Sequence, residues 1–132
     1  MIYSNLPNNC PPNDAQESDI TLFRIFCGNN LDVKEFSPYV AMYPDRKDYK
    51  NKCEAYAVSF YMSGKSAYNA YKKALNKNKV LGSYIAKLKM PSKLGLGLNN
   101  IGEHYRIWFY DNINVNDIVC EEIIKTEDYE NI

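Results

Sequence analysis

The run His-Tyr-Arg-Ile-Trp-Phe-Tyr at 104–110 constrains the fold more than any other stretch of the chain. Successive side chains of a strand point to opposite faces, so Tyr105, Ile107 and Phe109 share one side and His104, Arg106, Trp108 and Tyr110 share the other. The first set is a core face. The second is aromatic and basic, holds the single histidine and the single tryptophan of the chain, and reads as a wall facing a ligand.

The rest of the chain supplies partners for that strand. Alternation and apolar content predict further strands near 21–27, 53–61, 82–90 and 119–124. In the first of these, Arg24 shares a face with Leu22 and Phe26. A cation there is costly to bury unless it meets an acid, a group of carbonyls or an anionic ligand. In 53–61, Tyr56, Val58 and Phe60 form a bulky face, while Ala55, Ala57 and Ser59 form a face small enough for a helix or a ligand to approach. Ser63 caps a main helix over 64–77, whose apolar stripe is Ala67, Ala70, Tyr71, Ala74 and Leu75.

A short helix is expected near 33–43. Asp32 and Glu35 match a capping box at its start, Pro38 interrupts it and Pro44 ends it. Residues 1–18 read as a proline-bearing arm, 45–52 as a charged surface loop and 126–132 as a frayed acidic tail. The glycine-containing stretch 91–102 reads as a loop over one end of the sheet. Gly95-Leu96-Gly97 lacks the Gly-Lys-Ser/Thr ending of a phosphate loop. The pattern as a whole predicts one α+β domain over 19–125, built on a mixed or antiparallel sheet of about five strands.

Charge narrows the function classes. Lys+Arg and Asp+Glu are 16 each, which argues against general nucleic-acid binding. No apolar run reaches membrane-span length and no leader opens the sequence, so a cytoplasmic protein without a membrane partner is expected. Cys10, Cys27, Cys53 and Cys120 are widely spread and form no C-x-x-C pair. With one histidine they make no metal set, and four free thiols are expected. Tyrosine, at 12 residues, suits a binding surface because each ring joins an apolar body to a polar tip.

The chain resembles a group of small bacterial proteins that carry no established activity. The shared features are Cys10-Pro11-Pro12, Leu22-Phe23-Arg24, Phe36-Ser37, Cys53 through Ser59-Phe60, Ile85-Ala86-Lys87, Gly95 and Gly97, and His104-Tyr105 with Trp108. The layout is also similar to the ADP-ribosyltransferase core. That resemblance implies an NAD-binding transferase in which Arg24 and Ser59 hold the dinucleotide and Glu103 stabilises an oxocarbenium-like transition state at the ribose. Tyr56 or Trp108 would stack on nicotinamide, and His104 would help wall the cleft. The chain departs from the arginine-modifying branch at Ile101, where that branch has a second acid, and at Ser59, which sits in Val-Ser-Phe rather than Ser-Thr-Ser. Two other readings stand beside it. One is a non-catalytic module that binds a protein partner, as in a phage–host or toxin–antitoxin pair. The other is a hydrolase or nuclease using His104 with Glu103 or Glu121.

Overall fold

Six strands form one antiparallel sheet in the order β4-β5-β2-β1-β3-β6. They are β1 (Ile20–Phe26), β2 (Val58–Tyr61), β3 (Tyr84–Met90), β4 (Gly95–Ile101), β5 (His104–Phe109) and β6 (Val119–Lys125). Two helices accompany them, α1 (Tyr39–Met42) and α2 (Gly64–Leu75). The computed structural model describes residues 6–111 and 113–131; the first five residues of the arm, residue 112 and the last residue of the tail lie outside it.

One face of the sheet carries the main core. Leu22 and Phe26 of β1, Val58 and Phe60 of β2, Ala86, Leu88 and Met90 of β3, and Tyr105, Ile107 and Phe109 of β5 are all buried there. Phe36, from the short 3-10 turn Val33–Phe36, closes over them. Its ring meets Phe26 edge-on at 5.6 Å and Phe109 at 6.3 Å. Such aromatic pairs add about 0.5–1.5 kcal/mol beyond the area they bury. The face of β5 assigned to the core from its alternation is therefore the core face.

The opposite face is covered in two pieces. Over its centre lies α2, capped by the Ser63 hydroxyl, which accepts from the Ser66 amide at 3.1 Å, and seated through buried Gly64 and Ala67. Over the β4–β5 end lies the arm. Its Gln16 exchanges both main-chain hydrogen bonds with Gly97, at 2.9 and 2.8 Å. Ala15, Ala57 and Trp108 form a second buried cluster there, flanked by Cys10, Cys53, Tyr56, Leu96 and Leu98.

Four expectations change. The stretch 95–101 is an edge strand rather than a covering loop, which raises the strand count to six. It pairs with β5 through a tight turn in which Gly102 takes φ +57°, a conformation glycine adopts freely. A side-chain carbon at Gly97 would collide with the Tyr105 ring, so the residues that lower strand propensity here are the ones the pairing requires. The strand expected over 53–61 is only Val58–Tyr61, because Cys53–Tyr56 turns as a 3-10 helix and takes Ala55 off the small-residue face. The expected capping box is half made. Asp32 accepts from the Lys34 amide at 2.9 Å, but the Glu35 carboxylate turns away to the amides of Cys27 and Gly28, at 2.9 and 2.8 Å.

The fourth change concerns the thiols. Cys10 and Cys53 form a disulfide, with Cα atoms 5.5 Å apart, while Cys27 and Cys120 are free. Their separation of 43 residues hides the pairing in the sequence; the arm folding across the sheet creates it. After β6, the segment read as an acidic tail turns as Thr126–Asn131. Thr126 is buried, its amide donates to the Ser83 carbonyl at 2.9 Å, and Tyr129 stacks on Tyr68 at 5.6 Å.

Candidate functional site

The sheet opens beside its central strand. β1 pairs with β3 along seven residues, Ile20 to Phe26, but with β2 the register is the single pair Phe23–Tyr61. Beyond that pair the two strands part. A cleft of about 140 Å³ lies between them, lined by Arg24 and Ile25 from β1 and by Ala57, Ser59 and Tyr61 on the β2 side. Ser37, Pro38, Tyr39, Met42 and Leu81 complete its rim.

Arg24 occupies the parting. Its Nε donates to the main-chain carbonyl of Glu35 and its Nη1 to that of Ser59. The guanidinium thus satisfies a β2 carbonyl that the opened ladder leaves without a strand partner, and this is the carbonyl cluster that a cation in an apolar strand requires. Its carbon lies 5.7 Å from the centre of the Phe60 ring. Burial pushes Arg24 below the ordinary arginine value, while the nearby Glu35 carboxylate, then Tyr39 and Tyr61, act in the opposite direction. Burial likewise raises the Tyr61 phenol, with Tyr39 adding to the rise and the Arg24 charge opposing it.

Of the residues singled out from the sequence, Arg24 and Ser59 meet here. Glu103 does not join them. It sits on the β4–β5 turn, where its carboxylate accepts from the Ser63 and Ser66 hydroxyls at 2.9 and 3.3 Å, at the start of α2. His104 packs edge-on against Tyr61 at 5.9 Å, one residue in from the cleft rim. Burial and the neighbouring Arg106 charge lower its pKa. Trp108 is 3% exposed, under the arm, with its indole N–H on the Cys53 carbonyl. Tyr56 flanks that same cluster and donates its hydroxyl to the Lys50 carbonyl at 3.0 Å. The aromatic and basic face of β5 is therefore divided, with His104 near the cleft and Trp108 sealed.

The residues that the sequence reading passed over form a patch that meets the rim at Tyr39. Tyr39, Tyr43 and Tyr49 form a triad with ring centres 5.7–6.2 Å apart. Arg46 lies over Tyr49 at 4.3 Å and also forks onto Asp48, holding that carboxyl down to about 2. Tyr39 and Tyr43 are 49% and 48% exposed, and Met42 and Leu81 beside them are exposed as well. The spacing of Tyr39 and Tyr43, four residues apart on a helical turn, is the signal that could have found this patch.

No protein-family model, curated protein or solved structure matches the chain. Among the described residues, no group of three histidine, cysteine or carboxylate side chains is placed to hold a metal ion, and no helix is long and apolar enough to cross a membrane.

Proposed function

We propose that this chain is a non-catalytic interaction module whose docking face is the tyrosine patch around α1 and the cleft beside it, and whose partner is an acidic segment of another protein. The observation that supports this most directly is the ring triad of Tyr39, Tyr43 and Tyr49, with the first two about half exposed and Arg46 over the third. Rigid aromatic side chains braced by an arginine are the groups that dominate protein interfaces. Charge gives the partner's sign. Residues 45–52 hold Arg46, Lys47, Lys50 and Lys52 against Asp45 and Asp48. A basic patch on a chain of zero net charge favours an acidic counterpart.

The transferase reading draws support from the meeting of Arg24 and Ser59, and less from the rest of the geometry. The cleft, at about 140 Å³, is smaller than the roughly 300–1,000 Å³ usual for a drug-sized ligand. Glu103 and Trp108 are engaged elsewhere.

Backbone-amide NMR titration separates the two. A glutamate-rich peptide with flanking leucines should shift the amides of 39–52, and replacing Tyr39 and Tyr43 together by serine should remove the response. Shifts produced by NAD at Arg24 and Ser59, together with nicotinamide release, would overturn the interaction reading.

A further inference from the structure

We infer that the parting between β1 and β2 is a carboxylate-anchoring site, in which Arg24, Ser59, Tyr39 and Tyr61 receive one carboxylate of the partner's acidic segment. The inference rests on the interaction reading and names the group that enters the cleft.

The argument starts from the donors of Arg24. Arginine carries five N–H donors in a planar fork. Here Nε and Nη1 each give one hydrogen to a carbonyl. Nη2 gives none to any described residue. No buried side-chain nitrogen or oxygen among those residues lacks a partner, so Nη2 is not wholly enclosed, and the cleft that Arg24 lines lies beside it. The two carbonyls that hold the guanidinium are neutral. The nearest compensating charge, on Glu35, is turned to the Cys27 and Gly28 amides. A cation is therefore held in place by neutral carbonyls at the edge of the cleft, with its charge only partly answered.

Other donors converge on the same space. Ser59, Tyr39 and Tyr61, each carrying a hydroxyl, line the same cleft. Anion recognition needs donors without competing acceptors, and among the lining side chains no carboxylate is present. Apart from Ser37, whose hydroxyl donates to the Lys34 carbonyl, the remaining lining, Ile25, Pro38, Met42, Ala57 and Leu81, is apolar and suits a short aliphatic stem. The size agrees: about 140 Å³ admits a carboxylate on such a stem. Because the guanidinium is already fixed by two carbonyls and by Phe60, binding orders little that is not ordered beforehand. An aspartate or glutamate side chain and a free chain terminus offer the same chemistry.

The test titrates the full chain with three probes, followed by the Arg24 side-chain N–H signals and the backbone amides. The probes are N-acetyl-leucyl-glutamate amide, N-acetyl-leucine and the neutral N-acetyl-leucine amide. The expected result is a shift of the Arg24 and Ser59 signals by at least one of the two acids and none by the amide. The acid that acts distinguishes a side-chain source from a terminal one. Arg24 also supports the fold, so the deciding variant is the double change Ser59→Ala with Tyr61→Phe. It leaves both main-chain carbonyls and the Arg24 contacts in place. It should weaken the acid about ten- to hundredfold, the range for hydrogen bonds to a charged group. Equal shifts by acid and amide, or an unchanged affinity in the double variant, would overturn the carboxylate site while leaving the tyrosine patch standing. If the glutamate-rich peptide also fails to move 39–52, the interaction reading falls with it.

Discussion

Trp108 donates its indole N–H to the main-chain carbonyl of Cys53 at 2.9 Å, and the sulfur of Cys53 is bonded to Cys10. One residue thus fastens the arm to the sheet by a covalent bond and the sheet's tryptophan to the same point by a hydrogen bond.

Breaking the covalent bond should loosen what covers the tryptophan. With 43 residues between the sulfurs, loop closure predicts a loss of about 4 kcal/mol on Cys10→Ser or Cys53→Ser. Urea unfolding measures this. Trp108, the single tryptophan, reports the local effect as a red shift of its emission on reduction. Alkylation without reductant should label Cys27 and Cys120 and leave a linked 10–53 peptide pair. In a reducing compartment the pair stands as two neighbouring thiols.

Replacing Arg24 should destabilise the protein whatever it binds. Arg24→Met strips hydrogen bonds from the Glu35 and Ser59 carbonyls, each costing about 1–3 kcal/mol if it stays buried and unmet. Arg24→Lys recovers part of that, since one ammonium cannot reproduce the fork. Denaturant midpoints at constant slope decide it.

Stability should fall on acidification in a way that depends on His104. Burial and Arg106 hold the imidazole below its ordinary 6.5, so the folded chain takes up the proton less readily than the unfolded one. The contribution is complete above that ordinary value and is lost as the pH drops through the lowered folded value. His104→Gln should flatten this part of the profile below about pH 6.5, measured by urea unfolding across the range.

Glu103→Gln should act on the helix. The carboxylate sits at the positive end of α2 on two serine hydroxyls, an interaction worth about 0.3–1 kcal/mol at an exposed site. Thermal unfolding should show that small loss, and carboxylate titration of the Arg24 cleft should be unchanged.

Much of this architecture was legible in the residues. The alternation of β1, β3, β5 and β6, the Ser63 cap and the stripe of α2 are local patterns, and local patterns survive into the fold. Glycine at 95 and 97 hid β4, because its cause is the Tyr105 and Phe109 side of a neighbouring strand rather than its own propensity. The Cys10–Cys53 bond and the dispersal of Glu103 and Trp108 away from Arg24 depend on where distant segments cross, which no spacing records. Arg24 was legible as a cation needing partners. Carbonyls were among the partners expected of it, but the break in the ladder that frees one of them was not legible.

The strand order carries a consequence for how the chain must assemble. The sheet divides at Phe23–Tyr61 into β4-β5-β2 and β1-β3-β6, and along the chain the two sets interleave. The first set needs residues 58 to 109 and the second needs residues 20 to 125, so neither half belongs to a segment of its own. No single cut can release one half with its strands intact and its rival's left out. Pairings this distant in sequence form late and together. A chain emerging from synthesis therefore holds every strand of the β4-β5-β2 half once β5 is made, whereas the other half stays open at its edge until β6 arrives beside β3.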